Sequence, residues 1–210
     1  MTTWRARTPA ALLALMTMLA AVAAQARDLA RAQNWKRCLD SNPDVAIAGC
    51  SDVIQAGREI DGDLAIAFTN RAIAYRNKGE YDQAMRDYEQ AIRLNPSYAA
   101  AFNSRATAYS NKGQHDRAIQ DYDQAIRLDP SYAHAFYNRG NAYLAKGQLD
   151  RAIQDYDQAI QLDPSLALAH CNRAIAYREK GQHDRANRGF DQAFRLNPSA
   201  GDARQTLRCR

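Results

Sequence analysis

Two adjacent histidine–aspartate pairs, His115-Asp116 and His183-Asp184, are the side chains in this sequence that most resemble a catalytic set. A carboxylate beside an imidazole can hold a general base in place. However, the positions 34 residues on either side of His115 hold Tyr81 and Leu149, each again followed by Asp. That position therefore accepts an apolar residue, and the acid suits the positive end of a helix dipole. Because the sequence has no nucleophile elbow, H-E-x-x-H motif or phosphate-binding glycine loop, we predict no enzymatic activity and no cofactor.

These positions belong to a 34-residue repeat, which must position any functional side chain. Its two clearest copies are DRAIQDYDQAIRLDP at 116–130 and DRAIQDYDQAIQLDP at 150–164. In each period one apolar stripe ends before a glycine and a second ends before a proline, which predicts two helices. Such a hairpin cannot bury its apolar face alone, so neighbouring copies must stack. The glycine column keeps the step throughout: Gly79, Gly113, Gly147 and Gly181.

The period and its columns resemble the tetratricopeptide repeat, whose pattern is an aromatic, Leu-Gly, Tyr, Ala, an aromatic and Pro. The first copy here reads Phe68, Arg71-Ala72, Tyr75, Ala84, Tyr88 and Pro96. In the last copy His170 replaces the first aromatic. The pattern's Leu is arginine in every copy: Arg71, Arg105, Arg139 and Arg173. The resemblance implies an all-α, right-handed superhelical solenoid of antiparallel helix pairs.

The repeat divides the chain into consecutive units. Residues 1–26 are predicted to be a signal peptide, and residues 27–64 a degenerate N-terminal helical hairpin that caps the stack. Four repeats follow at 65–98, 99–132, 133–166 and 167–200, and residues 201–210 form a short cap or tail. In the leading hairpin we expect one helix at Asp28–Leu39 and a second at Val45–Gln55, with Asp44 as the N-cap of the second.

The first 26 residues have the features of a secretory signal peptide. Arg5 and Arg7 give a positive start, Ala10–Ala24 is an apolar run, and Ala24-Gln25-Ala26 is a small-x-small cleavage site. The alternative is an uncleaved membrane anchor, although a spanning helix needs about 20 apolar residues and this run is shorter. We therefore expect a periplasmic or secreted protein.

The sequence has four cysteines: Cys38, Cys50, Cys171 and Cys209. An even number in an exported chain indicates disulfides. A hairpin that turns at Asn42-Pro43 would bring Cys38 against Cys50, so we predict that bridge. A bridge between Cys171 and Cys209 has less support, because it needs a short C-terminal helix. Neither spacing is C-x-x-C and no histidine completes a cluster, so no metal site is predicted.

An arginine in the repeat's Leu position can pack its stem where Leu would lie and leave its head for a carboxylate. Three copies carry an acid just before the second aromatic: Asp87, Asp121 and Asp155. Pairing within a repeat would join Asp121 to Arg105, and pairing between repeats would join it to Arg139. We expect the second arrangement, because it explains why the last copy can have Gly189 at that position. An unpaired arginine is the remaining alternative.

In tetratricopeptide proteins the first helix of each hairpin lines a concave groove that holds extended or helical peptides. The resemblance carries this role to twelve positions: Thr69, Ile73, Arg76, Asn103, Thr107, Asn111, His134, Tyr137, Asn141, Cys171, Ile175 and Arg178. The central ones are polar and uncharged, which suits bonding to a peptide backbone. The family's clamp for a C-terminal carboxylate needs Lys and Asn where Thr69 and Ile73 stand, so that clamp is not expected.

The sequence therefore predicts an exported scaffold or adaptor that binds a protein or peptide partner in its concave groove. The alternative is a structural or self-assembling module that makes its contacts through the ends of the stack. Positive charge collects from Arg178 onward, where it would serve either as a solvated end cap or as a contact for an anionic surface. Membrane contact is expected only through the signal peptide or this basic end, and no nucleic-acid partner is expected. The oligomeric state is left open.

Mass spectrometry of the exported protein should give an N-terminus at Arg27. Cleavage at that point follows from the positive start, the apolar run and the A-Q-A site. A mature protein that retains Trp4 would contradict cleavage and would place the chain in the membrane.

Overall fold

The computed structural model describes residues 9–198, with side chains described from residue 16 onward; residues 1–8 and 199–210 lie outside the described part. Within it every regular element is a helix, and the ten helices follow one another as antiparallel pairs. They are α1 Pro9–Cys38, α2 Pro43–Ala56, α3 Asp61–Asn77, α4 Tyr81–Leu94, α5 Ala99–Asn111, α6 His115–Leu128, α7 Ala133–Ala145, α8 Leu149–Leu162, α9 Ala167–Glu179 and α10 His183–Leu196. The predicted all-α solenoid of helix pairs is confirmed.

The first pair, α1 and α2, packs against α3 at the start of the stack, where a cap is predicted. α1 starts at Pro9 rather than Asp28, so the helix continues through the predicted cleavage site. α2 begins after Asn42, whose side-chain oxygen accepts from the backbone N–H groups of Asp44 and Val45. The expected cap Asp44 lies instead in the first helical turn, where its charge suits the helix dipole. Among the described residues, no helix combines the length and hydrophobicity needed to span a membrane.

A disulfide between Cys38 and Cys50 holds the cap together, as predicted. The two Cα atoms are 4.4 Å apart, and both side chains are buried. The helices approach this closely because Gly49 has no side chain; a Cβ there would lie 2.5 Å from the Cβ of Arg37. Trp35 packs on the same cluster, and its indole N–H donates to Glu59. Trp35 therefore has a packing role in the cap.

Small residues lie where the two helices of each repeat hairpin cross, and they let the helices approach closely. Ala72 and Ala84 are fully buried beside Tyr88 in the first repeat, and the same columns recur in the following copies. The turn between the helices requires Gly79, whose φ of 77° lies in the left-handed region that favours glycine. Beyond the turn, the Glu80 N–H donates to the carbonyl oxygen of Tyr75 at 2.9 Å, which satisfies the end of α3.

The repeats stack through the first helix of each pair. α3 contacts α5, α5 contacts α7 and α7 contacts α9, whereas the second helices contact mainly the first helices of their own and the following repeat. A stack whose layers touch along one side curves toward that side, so the first helices form the inner face of the solenoid. The twelve predicted groove positions all lie on these four inner helices.

Replacing both Cys38 and Cys50 with alanine should lower the free energy of unfolding by about 3 kcal/mol, because a loop of this length would lose its constraint in the unfolded chain. Urea unfolding followed by circular dichroism measures the change. The double substitution isolates this bridge, since a reducing agent would also act on Cys171, which is not a free thiol. Equal unfolding free energies for the two proteins would show that the bridge contributes nothing.

Candidate functional site

Three of the twelve predicted groove residues are buried within the stack. Thr69 is 2% exposed, and its hydroxyl donates to the carbonyl oxygen of Ala65 one turn earlier. Asn103 and Cys171 are 8% and 4% exposed. A peptide could reach these side chains only after the helices separated, so the structure gives the three positions a packing role that the repeat pattern did not predict. Cys209 lies outside the described residues, and its pairing with Cys171 stays a prediction.

Two asparagines on neighbouring inner helices bond each other across a repeat boundary. Asn138 on α7 donates its side-chain N–H to Asn103 Oδ1 on α5 at 3.0 Å. Asn103 in turn donates to the hydroxyl oxygen of Tyr132 at 3.4 Å. The amide group of Asn103 therefore links the second and third repeats, and it is not available to a peptide backbone.

A second cluster joins the third and fourth repeats. Asn172 on α9 donates to the Tyr137 hydroxyl oxygen at 3.2 Å and to Asn141 Oδ1 at 2.8 Å. The Tyr156 hydroxyl donates to the same Asn141 oxygen at 2.8 Å, and the rings of Tyr137 and Tyr156 lie 6.1 Å apart. Burial raises the pKa of Tyr137, so this hydroxyl stays protonated at neutral pH. Tyr137 thus supports the stack, and its truncation would destabilise the protein as well as change the inner surface.

The hydroxyl groups of two buried tyrosines on second helices find their hydrogen-bond partner on the first helix of the same repeat. The Tyr122 hydroxyl lies 3.1 Å from that of Thr107, just as Tyr156 bonds Asn141 one repeat later. Burial raises the pKa of Tyr122 to about 12, with the Thr107 hydrogen bond opposing the shift. Thr107 and Asn141 therefore serve the interior of their own repeats.

The first and fourth repeats carry isoleucine at this inner-helix position. In the fourth, Ile175 packs against Phe190, which has no hydroxyl group to satisfy. In the first, Ile73 packs against Tyr88, whose buried hydroxyl has no hydrogen-bond partner in the described part of the chain. The first repeat therefore contains an unsatisfied hydroxyl group on its second aromatic residue, which the other three repeats do not.

The other four predicted groove residues keep accessible polar groups. Asn111 and His134 are exposed on α5 and α7, near the middle of the inner face. Arg76 on α3 is partly exposed and donates to Asn77 Oδ1 at 3.1 Å. The Arg178 guanidinium lies 5.3 Å from the centre of the Phe190 ring. The inner face thus presents neutral polar groups centrally and an arginine toward each end.

The repeated arginines pair within their own repeat, so the expectation that Asp121 binds Arg139 is wrong. Arg105 donates through Nε and Nη2 to the two carboxylate oxygens of Asp121, at 2.7 and 2.8 Å. The same bidentate geometry joins Arg71 to Asp87 and Arg139 to Asp155. The physical reason is that the two helices of one hairpin bring the Nε edge of each arginine directly against its own acid.

In three of these arginines the remaining guanidinium nitrogen, Nη1, donates to a residue of the preceding helix pair. Arg71 donates through it to the Ser51 hydroxyl at 3.0 Å, and Arg139 donates to Asp123 at 2.6 Å. Arg173 donates in the same way to Asp157. The acids that join repeats therefore follow the second aromatic instead of preceding it.

A lysine column forms a further set of ion pairs between repeats that sequence reasoning missed. Each lysine before a turn glycine contacts the acid at the start of the preceding second helix: Lys112 to Asp82, Lys146 to Asp116 and Lys180 to Asp150. The invariant 34-residue spacing of these lysines is the signal that could have revealed them. Because the carboxylates are exposed, each pair contributes little to stability. Asp116, the acid of the His115-Asp116 pair, is therefore paired with Lys146.

Comparison with family models assigns this arrangement to a class. A tetratricopeptide repeat model matches residues 65–98, a second model of that description matches 87–120, and a TPR repeat model matches 108–147 and 140–181. Together these matches cover residues 65–181, more than half of the 210 residues. The chain belongs to the tetratricopeptide repeat family.

Solved structures of the family share the fold. A crystal structure of MamA is 25% identical with a TM-score of 0.65, over 79% of this chain and 94% of MamA. The first TPR of Spaghetti (RPAP3), bound to an HSP90 peptide, is 26% identical with a TM-score of 0.56, over 60% of this chain and 99% of that one. YrrB, a TPR protein with an unusual peptide-binding site, is 22% identical with a TM-score of 0.61, over 79% and 83%. No curated protein sequence matches the chain.

The tyrosine positions predict opposite effects for one substitution in two repeats. Tyr88→Phe should raise the free energy of unfolding by about 1 kcal/mol, because it removes a buried hydroxyl group that has no partner. Tyr156→Phe should lower it by about 1 kcal/mol, because it removes the bond to Asn141. Urea unfolding gives both values, and each variant is the other's control. Two losses of equal size would contradict this account.

Proposed function

We propose that the protein is a non-enzymatic, exported scaffold that holds a peptide segment of a partner protein on its inner face. The family and its solved members support an interaction role in general terms. The observation that carries the proposal for this chain is the exposure of Asn111 and His134 beside inner-helix residues that are fixed by bonds between repeats.

Fixed spacing of the inner helices favours binding. The Asn138–Asn103 and Asn172–Asn141 hydrogen bonds hold α5, α7 and α9 in register. The exposed amide and imidazole groups are therefore presented with little loss of freedom when a ligand arrives. An amide offers both a donor and an acceptor, which matches the backbone of an extended peptide.

The ligand we propose resembles that of the RPAP3 repeat only in being a peptide segment. RPAP3 is seen with an HSP90 peptide that ends in three residues of sequence EVD. In this chain Thr69 is buried and Ile73 is apolar, so the first repeat offers no lysine and asparagine pair for a terminal carboxylate. A segment bound through its backbone suits the neutral centre of the inner face better.

Export is proposed from the first 26 residues, and the position of α1 supports it. The side chains of residues 16–33 are exposed. The bonds that anchor α1 to the turn before α3 involve later residues. Arg31 donates to Glu59 at 2.6 Å, and Trp35 donates to Glu59 at 3.2 Å. Cleavage after Ala26 would leave these contacts and the Cys38–Cys50 bridge intact. A disulfide of this kind also suits an oxidising compartment.

Contact through the end of the stack is the second candidate function, and Phe194 is the observation that favours it. This side chain on α10 is 53% exposed. Ile92 and Ile126 occupy the same repeat position and are only partly exposed, because the following hairpin covers them. A partner, or a second copy of the chain, could cover Phe194 in the same way.

A photo-reactive amino acid at position 134 should crosslink to a partner in cells, because His134 is exposed on the inner face. The same group in place of Gln154, which is exposed on the outer helix α8, is the matched control and should give no adduct. Immunoblotting after irradiation reports the adducts by mass. Equal crosslinking at both positions, or at neither, would contradict inner-face binding, and crosslinking through position 194 alone would favour the end of the stack.

A further inference from the structure

The fourth repeat lacks the carboxylate that each earlier repeat places against its arginine. Asp87, Asp121 and Asp155 each accept two hydrogen bonds from the Nε and Nη2 atoms of their arginine. The corresponding residue in the fourth repeat is Gly189. Arg173 keeps its Nη1 bond to Asp157, but its Nε is buried with no partner in the described part of the chain.

A pocket of about 320 Å³ lies between α9 and α10 at this point. Its α9 wall includes His170 and Arg173, and its α10 wall includes Arg185, Arg188, Gly189 and Gln192. No aspartate or glutamate is among these lining residues. The pocket therefore combines several positive groups with the space beside the arginine whose acid is missing.

His170 provides a second, independent sign that a ligand belongs in this pocket. The residue is only 7% exposed, and its Nε2 lies 3.1 Å from the carbonyl oxygen of Pro164, to which it donates. Its other ring nitrogen, Nδ1, is buried and has no partner among the described residues. The earlier repeats carry phenylalanine at this position, as in Phe136. The fourth repeat has thus lost both an apolar ring and an acid from one place.

The helices of the fourth hairpin lie close together where the acid would stand. A Cβ on Gly189 would lie 2.8 Å from the Cβ of Ala174, closer than real side chains approach. The first repeat nevertheless combines Ala72, which corresponds to Ala174, with Asp87, and the second repeat has the same pair of residue types. An aspartate at position 189 would therefore need either a shift of the two helices or a residue smaller than alanine at position 174.

We propose that the pocket formed by His170, Arg173, Arg188 and Gly189 binds a carboxylate group of a partner protein. A planar carboxylate matches the Nε and Nη2 edge of Arg173, which the earlier repeats fill with aspartate. The bound anion would favour the protonated form of His170, whose Nδ1–H can then donate to it; in its absence, burial and the charge of Arg173 lower the pKa of His170. The site shares no residue with the inner face and does not rest on binding there.

The test is an NMR titration of the full-length, ¹⁵N-labelled protein with small carboxylates. N-acetyl-aspartate N-methylamide represents an acidic side chain, and N-acetylglycine represents a chain terminus. N-acetyl-asparagine N-methylamide is the neutral control, and inorganic phosphate tests for a general anion site. We expect saturable shifts of the Gly189 and Arg188 amides and of the His170 ring with one or both carboxylates. Equal shifts with the neutral amide, or tighter binding of phosphate, would overturn the proposal.

Two arginines at the same repeat position give a matched pair of variants. Arg188 and Arg86 are both exposed, and glutamine occupies this position in the second and third repeats, so Arg→Gln is compatible with folding at either site. Arg188→Gln should weaken carboxylate binding about threefold, the effect of an exposed charge. Arg86→Gln should leave it unchanged, because Asp87 already fills that repeat. Equal affinity in the two variants would contradict the site.

A variant that supplies its own carboxylate to the pocket tests the geometry directly. Ala174→Gly combined with Gly189→Asp reproduces the third repeat's Gly140 and Asp155, and should place a carboxylate on Arg173. We expect the carboxylate shifts to disappear while the thermal melting temperature stays the same or rises. Undiminished binding in a folded double variant would show that the small carboxylates bind elsewhere. If the double variant does not fold, the Arg188 and Arg86 pair still decides the question.

Discussion

The bidentate arginine–aspartate pair inside each of the first three repeats is the contact on which the stack depends. Arg139 and Asp155 show the constraint most clearly, because their side chains are 19% and 7% exposed. A charge that far from solvent is tolerated only when it is paired and hydrogen-bonded. The pair therefore forces the two helices of a hairpin into one relative position. Since Nη1 of the same arginine bonds Asp123 of the preceding repeat, the side chain also couples the fold of one hairpin to its neighbour.

The parts of the fold that follow from local rules could be predicted. A 34-residue period with one glycine turn and one proline stop defines two helices without knowledge of the rest of the chain. The Cys38–Cys50 bridge followed in the same way, since a tight turn fixes which residues of two antiparallel helices face each other. The N-cap of α2 was assigned to Asp44 in error, although proline favours the first helical position and therefore makes Asn42 the cap.

Apart from the lysine column, the contacts between repeats could not be predicted, because they depend on the rotation from one hairpin to the next. Asp121 and Asp123 lie two residues apart on one helix, and composition alone cannot say which one meets Arg105 and which meets Arg139. In the structure Asp121 accepts from Nε of Arg105, and Asp123 accepts from Nη1 of Arg139. Asn138 and Asn103 are 35 residues apart, one more than the repeat, so a search along the repeat columns does not pair them. Three of the polar residues expected to bind a peptide, Asn103, Tyr137 and Asn141, are used for such contacts.

The unsatisfied groups show where the repeat stack is incomplete. Among the described residues, the buried side-chain atoms without a hydrogen-bond partner belong to Asn70, Tyr88, His170 and Arg173. All four lie in the first or the fourth repeat, and none lies in the second or third. For Tyr88 and Arg173 the missing partner belongs to the repeat itself. Ile73 stands beside the Tyr88 hydroxyl where the next two repeats have Thr107 and Asn141, and Gly189 replaces the acid of Arg173. The two terminal repeats therefore depart from the residue pattern that satisfies the central ones. Because a buried polar group without a partner destabilises the protein, a ligand that supplies the missing partner gains most at the two ends of the stack.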